Sequence, residues 1–380
     1  MLNWKTARKI LCIRLDTIGD VIMTAPAMLA LKLEQPDRHI TLMTSSAGAV
    51  AAPLLSLDDL IVYDAPWLKA TSPRITNAPE FAMIEQLRQA QFDAAIICTV
   101  YSQNPLPSAF LCYMAGIPLR LAHCHENPYQ LLTHWIPDPE PAQQIRHEVQ
   151  RQLDLVASVG CDVSGVVNDP THDRQLLKLD PIALQRVRDL LREIGVNLEQ
   201  PWIVIHPGAT AASRRYPPES FATVAHHLVQ QDQLQVIFTG TQSETELVES
   251  IRTQMQATSF SLVDRLNLSE LAALLHQAPL LLSNNTAPVH LASAVGTPVV
   301  DLYALTNLQH TPWSIPHRVL FHEVPCRLCY KSICPEGHHH CLRLVEPDTV
   351  IQAVRSLLAP TDSVSQNSKS NLQNPALCPL

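Results

Sequence analysis

LLLSNNTAPVHLASAVGTPVVDLY, from Leu280 to Tyr303, sets two apolar runs on either side of a polar turn and a short helix that opens at Pro288-Val289-His290. Leu280 to Ser283 and Pro298 to Tyr303 read as buried strands of a parallel sheet, since they are apolar along their length rather than alternating. The small residues Ala292, Ser293, Ala294 and Gly296 let the connecting helix lie close to that sheet. Asn284, Asn285 and Thr286 then fall at a strand's carboxyl end, ahead of a helix N-terminus whose unpaired N–H groups can bind an anion or a sugar hydroxyl. An ordinary turn with an Asn/Thr cap would read the same way from this stretch alone.

Working outward, IVIHPGATAASRRYPPESFATVAHHLV, Ile203 to Val229, repeats the pattern: a buried strand, a Gly/Ala/Thr/Ser loop, a basic pair, and a helix announced by Pro217, Pro218 and Glu219. Gly208 permits close backbone approach, Thr210 and Ser213 offer hydroxyls, and Arg214 and Arg215 can supply charge-assisted bonds to a diphosphate. A solvated arginine pair beside a helix cap is the plainer reading. KILCIRLDTIGDVIMTAPAMLALK, Lys9 to Lys32, runs from a strand (Ile10 to Leu15) through Asp16-Thr17-Ile18-Gly19-Asp20 into an apolar helix from about Val21. Asp20 at that start is either a helix-terminal charge, worth under about 1 kcal/mol, or a carboxylate placed to take a proton from a hydroxyl.

Four blocks therefore stand in order: IGDVxxxxPAxxALK, HPGA followed by RYPxExF, TG with Glu244 four residues after Gly240, and NTxPxHLAxAxGxPVVxLY. Together they resemble glycosyltransferase family 9, the group of the ADP-heptose:lipopolysaccharide heptosyltransferases, over roughly Lys9 to Val354. The resemblance implies an α/β protein of the GT-B class, with two Rossmann-like domains facing across a cleft, and inverting, metal-independent transfer of a hexosyl or heptosyl group. The donor would be a nucleotide-diphosphate sugar, with no further cofactor needed for chemistry, and the acceptor a lipopolysaccharide or other lipid-linked cell-envelope glycan. By the same resemblance Asp20 is the general base and Arg214 the group that stabilises the leaving phosphate. Thr210, Ser213, Glu244, Asn285, Thr286 and His290 would bind the donor, and Arg120 in AGIPLRLA, matching a Gly-x-x-x-Arg turn, would meet the acceptor. Two positions depart from the pattern. Asn285-Thr286-Ala287 stands where the family usually has Asp-Thr-Gly, which exchanges a carboxylate for an amide and motivates an alternative, a catalytically inactive nucleotide-sugar-binding relative acting as a sensor or assembly partner. Arg214 stands for a lysine, which keeps the charge and adds a planar fork.

Composition agrees with such a protein. The 380 residues, 46% hydrophobic and 16% charged, suffice for two full cores. A net charge of −8 gives no broad basic field for nucleic acid. No run approaches about 18 apolar residues, and no signal peptide precedes the first strand, so the expected location is cytoplasmic, at the inner face of the membrane where lipid-linked acceptors lie. The expected organisation is an acceptor-side domain over 1–165, a linker over 166–180 and a donor-binding domain over 181–345. A helix over 346–360, which in GT-B proteins often packs back on the first domain, and a disordered polar tail over 361–380 complete the chain.

The remaining constellation is Cys326-x2-Cys329-x4-Cys334-x6-Cys341, with His338, His339 and His340 inside the last interval. That spacing can ligate a structural zinc, and the other reading is free thiols in a surface loop. Cys12 and Cys98, within strands, read as small core residues. His310, His317 and His322 follow the last block without a pattern and read as surface residues.

Overall fold

The computed structural model describes residues 2–167, 176–304, 306–329 and 331–359. Twelve strands form two parallel sheets among them. The first holds β1 (Lys9–Ile13), β2 (His39–Thr44), β3 (Asp59–Val62), β4 (Ala94–Ile97), β5 (Leu119–Cys124) and β6 (His134–Pro137), ordered β3-β2-β1-β4-β5-β6. The second holds β7 (Trp202–His206), β8 (Gln235–Phe238), β9 (Phe260–Ser261), β10 (Leu281–Asn284), β11 (Val299–Leu302) and β12 (His317–Leu320), ordered β12-β11-β10-β7-β8-β9. Counted within its own half, each sheet has the order 3-2-1-4-5-6, the doubly wound Rossmann arrangement. The central strands are covered on both faces, which is why β4, β7 and β10 are buried at every position and read as continuous apolar runs.

In such a sheet the chain turns to opposite faces at the point where strand order reverses, and a crevice opens at the carboxyl ends there. That point lies between β1 and β4 in the first half and between β7 and β10 in the second. Three of the four motif-bearing loops leave from it, after β1, β7 and β10, and the fourth, carrying Glu244, leaves the neighbouring β8. The first loop enters the Ile18–Glu34 helix, which begins three residues before the expected Val21. Thr17 and Asp20 explain the shift: the Asp20 carboxylate accepts from the Thr17 backbone N–H (3.3 Å) and hydroxyl (2.8 Å), so the turn is capped one step earlier.

Side chains of the Ile18–Glu34 helix and of the Ala287–Val295 helix share one apolar cluster, in which Val21, Ile22 and Met23 from the first half join Val289 and Leu291 from the second. Gly19 is needed for that approach, because a Cβ there would lie 2.9 Å from His290 Cδ2. The Pro347–Leu358 helix does not return to the first half. Its Val350, Ile351 and Val354 belong to the second half's own core with Phe221 and Leu228, and Arg355 pairs with Asp232 at 3.0 Å.

Strands β5, β6, β9 and β12 were not expected. Arg120 and His123 interrupt the apolar pattern of β5, β6 is half-exposed, and β9 has two residues. Residues 168–175 of the expected linker and all of the expected tail over 361–380 lie outside the described residues. Within the described parts of that expected linker Val166, Leu176 and Leu177 are buried in the shared cluster, so these residues are core. Among the described residues no helix is long and apolar enough to cross a membrane.

Candidate active site

At the end of β1 a fully buried arginine, Arg14, gathers three carboxylates. Its Nη1 meets Glu148 Oε1 at 2.5 Å, its Nε meets Asp16 Oδ2 at 2.7 Å, and its Nη2 meets Asp20 Oδ1 at 3.2 Å. One cation cannot neutralise three anions, so the site must distribute protons unequally. Burial pushes the Glu148 and Asp16 carboxyls above their usual range despite Arg14. Burial acts the same way on Asp20, but Arg14, then His310, the Thr17 hydroxyl and His290 outweigh it and hold Asp20 below the usual carboxylate range. Asp20 is thus the carboxylate kept ionised, with its side chain partly open to the crevice. Sequence reading overlooked Arg14, although a lone arginine inside the apolar run CIRL was a usable signal.

On the second half the HPGA loop is tied from several sides. Asn284 Nδ2 donates to the Pro207 carbonyl (2.7 Å), and Asn284 Oδ1 accepts from the Tyr216 N–H (3.0 Å), so the end of β10 staples both ends of the loop after β7. The two adjacent arginines part company. Arg215 donates through Nε to the Ala209 carbonyl (2.8 Å) and through Nη2 to the Thr210 carbonyl (3.2 Å), which closes the loop on itself. Arg214 is half-buried, and its charge bears on His290, Asp301, Tyr303 and His310. Thr210 is exposed on the same loop. Ser213 is buried and faces away from a ligand: its hydroxyl donates to the Lys331 carbonyl at 2.8 Å, so it fastens the Cys-rich segment instead of offering a hydroxyl to the donor. Glu244 accepts from the Thr241 N–H (2.7 Å) and hydroxyl (3.0 Å), and its carboxyl crowds Gly208 so closely that a Cβ there would overlap it, at 1.8 Å from Oε1. The glycine of one motif and the glutamate of another are therefore one contact.

At the end of β10, Asn285 is fully buried, and its Nδ2 donates to Asp301 Oδ2 and to the His310 carbonyl, both at 2.9 Å. Thr286 Oγ1 turns to the Asn284 carbonyl at 3.3 Å, so the Ala287–Val295 helix begins with no side chain on its first N–H groups. Asp301 lies under Asn285, and burial pushes its carboxyl up to about 8. His290 is buried against Gly19, with its imidazole pushed down to about 3, first by burial and then by His310. The His290 and His310 rings stand edge to face with centroids 6.2 Å apart. Asp301 was not singled out from sequence, and His310, expected at the surface, instead turns its Nε2 away from solvent. Asp301 could have been, as a charge inside the apolar run PVVDLY, whereas nothing local marks His310.

The structure thus brings Asp20, Arg214, Asn285, Thr286 and His290 toward one crevice, with Thr210 on the HPGA loop and Glu244 packed against Gly208 of that loop. It does not bring Arg120. That residue lies in β5 rather than in a turn, is 8% exposed, and spends its guanidinium on the backbone carbonyls of Ile117, Gln130 and Leu131. Three of its five N–H donors are used within the frame, and its burial keeps the guanidinium away from an acceptor. The zinc expectation for Cys326, Cys329, Cys334 and Cys341 is not met by the geometry. The thiols lie near enough together to hold Cys341 up, after burial, by mutual repulsion. Among the described residues, however, no three His, Cys, Asp or Glu side chains converge as metal ligands, and Cys326 Sγ instead faces His338 Nε2 at 3.8 Å.

The model of glycosyltransferase family 9 (heptosyltransferase) matches residues 80–340, more than half of the chain. Lipooligosaccharide heptosyltransferase 2 of Haemophilus influenzae is 24% identical over 370 residues, covering 92% of this chain and 99% of that protein. Among solved structures, the glycosyl transferase family 9 protein of Veillonella parvula superposes with a TM-score of 0.73 at 22% identity, over 94% of this chain and 98% of its own. The ADP-heptose lps heptosyltransferase II of Escherichia coli superposes with a TM-score of 0.68, also at 22% identity, over 92% and 98%. At such identities the structural likeness establishes the two-Rossmann GT-B fold, and the family match establishes membership: this chain belongs to glycosyltransferase family 9.

Proposed function

We propose that this glycosyltransferase moves a heptose from ADP-heptose to a lipopolysaccharide core acceptor with inversion at the anomeric carbon. The observation that carries the proposal is the meeting, in one crevice, of an ionised carboxylate from the first half and an uncommitted cation from the second. In this reading Asp20 takes the proton of the acceptor hydroxyl while that oxygen attacks the anomeric carbon. The bond to the diphosphate breaks, and its electron pair leaves on phosphate oxygen. Arg214, the Thr210 hydroxyl and the open N–H groups of the Ala287–Val295 helix supply the positive potential that this oxygen needs, which is the basis for chemistry without a metal cofactor. In the same reading Glu244 would meet the donor ribose and Thr286 and His290 the sugar and phosphates, while Asn285, whose Nδ2 is committed to Asp301 and the His310 carbonyl, has only its Oδ1 to offer. Family relatives named for ADP-heptose and lipopolysaccharide support the choice of donor and acceptor. The acceptor, being lipid-linked, would be met at the inner face of the membrane.

Asn285 does not argue for an inactive relative. Its amide is held rigidly by Asp301 and by the His310 carbonyl, so the change from a carboxylate comes with a built environment rather than a gap. Thermal shift of the full chain against ADP, GDP, UDP and dTDP checks the donor directly. ADP held at about 100 times its dissociation constant should stabilise by about 2.7 kcal/mol, and preferential stabilisation by another nucleotide would redirect the assignment.

A further inference from the structure

The turn around His310 is anchored from both halves of the molecule. The His310 carbonyl accepts from Asn285 Nδ2 at 2.9 Å. The neighbouring Gln309 donates through Nε2 to Glu140 Oε1 of the first half (3.2 Å), and the Thr311 carbonyl accepts from His147 Nε2, also of the first half, at 2.7 Å. Three successive residues are thus fixed, and the side chain in the middle has no choice about where it stands. Yet its Nε2 is shielded from solvent and has no hydrogen-bond partner among the described residues. A shielded imidazole nitrogen without a partner costs free energy unless something supplies one.

The surroundings say what that partner is. The His310 ring stands edge to face on His290, centroids 6.2 Å apart, and His290 lies against Gly19, the residue next to Asp20; the charges of Asp20, Arg14, Arg214 and His147 all bear on it. Asp20 is the proposed proton acceptor, and Arg214 the proposed phosphate ligand. A ligand atom that reaches Nε2 beside Asp20 therefore belongs to the sugar oxygens at the point of transfer. The same surroundings keep the ring uncharged: burial first, with Arg214 and Arg14 adding to it, pushes the imidazole down to about 4 against the pull of Asp20. A neutral imidazole can donate one hydrogen bond to an oxygen nucleophile without competing for its proton.

We propose that His310 is a catalytic residue of the transfer reaction, whose Nε2–H donates to the acceptor hydroxyl oxygen that Asp20 deprotonates, so that this oxygen is held from both halves at once. The proposal rests on the transfer reading given above. The acceptor proton passes to the Asp20 carboxylate, the oxygen uses one lone pair to form the bond to the anomeric carbon, and its other lone pair accepts from Nε2–H. The imidazole proton stays on His310 throughout, and the bonding pair lost from the anomeric carbon leaves with the diphosphate. The role is oriented catalysis: the nucleophile is fixed in its attacking position by a group that makes little contact with the nucleotide.

The test compares the full-length parent with His310→Ala and His310→Gln, the second of which keeps a side-chain N–H donor. ADP-heptose is the donor and deheptosylated lipopolysaccharide the acceptor, and ADP binding by calorimetry and melting temperature are recorded alongside. The expected result is a fall in turnover of roughly tenfold or more for His310→Ala, partial recovery in His310→Gln, and ADP affinity within about twofold of the parent for both. Turnover of His310→Ala within about twofold of the parent would overturn the proposal. So would a loss of activity matched by equal losses of ADP affinity and melting temperature in both variants, since that is the pattern of a framework residue. If the parent itself transfers no sugar, the transfer reading fails first and this assignment falls with it.

Discussion

Arg214 and Arg215 are adjacent, chemically identical and opposite in use, which is a difference no sequence pattern could express. Arg215 closes its own loop on two backbone carbonyls, while the charge of Arg214 is directed into the crevice toward His290, Asp301 and His310. Arg214→Ala should therefore weaken ADP binding by about 1.5 to 3 kcal/mol, the range for a hydrogen bond to a charged group. Arg215→Ala should cost less than about 1 kcal/mol of ADP affinity, because it touches the ligand only through the loop. Calorimetric titration of both variants with ADP decides the matter, and equal affinities for the parent and Arg214→Ala would remove Arg214 from the donor site. The same limit explains which other residues were legible. Asp20, Glu244 and His290 could be singled out as candidates because their motifs place them at element ends. Ser213 and Arg120 misled because a hydroxyl or guanidinium next to a motif looks the same in sequence whether it faces a ligand or a backbone carbonyl.

Between elements, the decisive contact is the one between the Ile18–Glu34 and Ala287–Val295 helices, where Gly19 meets the His290 ring. The IGD and PxH blocks lie some 270 residues apart, yet each is small or flat where the other presses on it. Gly19→Ala would place a methyl group 2.9 Å from His290 Cδ2, inside contact distance, and neither the helix backbone nor the buried ring can yield freely. A destabilisation of about 1 to 3 kcal/mol is expected, as for overpacked cores, read as a lower midpoint in urea with an unchanged slope. A midpoint equal to the parent's would show that the two helices can part at little cost. Strands were legible from sequence where burial on both faces makes them continuously apolar, as in β7 and β10. They were not legible where a charged or half-exposed residue broke that run, as in β5 and β6.

For the molecule as a whole, the seam between the halves is a place where burial disfavours charge on its histidines. His147, His290 and His310 all lie there, and burial is the leading cause that pushes them down to about 4, about 3 and about 4. An unfolded histidine titrates near 6.5, so between about pH 6.5 and 4 these three rings bind fewer protons in the native chain than in the unfolded one, and their contribution to stability rises with pH there, against the opposite contribution of the raised Asp301 carboxyl. The contribution is fully present above about pH 6.5 and is lost as pH falls toward 4, on the order of 2 kcal/mol per ring at pH 5. His147 shows why: Nδ1 accepts from the Val149 N–H at 3.1 Å and Nε2 donates to the Thr311 carbonyl, an arrangement that only the neutral ring permits. Melting temperatures at pH 7.5 and 5.0 should therefore differ by several degrees in the parent and by less in His147→Gln. An equal drop in both would place the acid sensitivity elsewhere.

The central proposal is that Asp20, ionised because Arg14 is beside it, removes the acceptor proton across a crevice formed by both halves. The most direct measurement is transfer of heptose from ADP-heptose to deheptosylated lipopolysaccharide by the full chain and by Asp20→Asn, with ADP affinity measured on the same samples. Loss of the proton acceptor alone should lower turnover by roughly 100-fold or more while leaving ADP binding nearly intact. Turnover by Asp20→Asn comparable to the parent's would contradict the account.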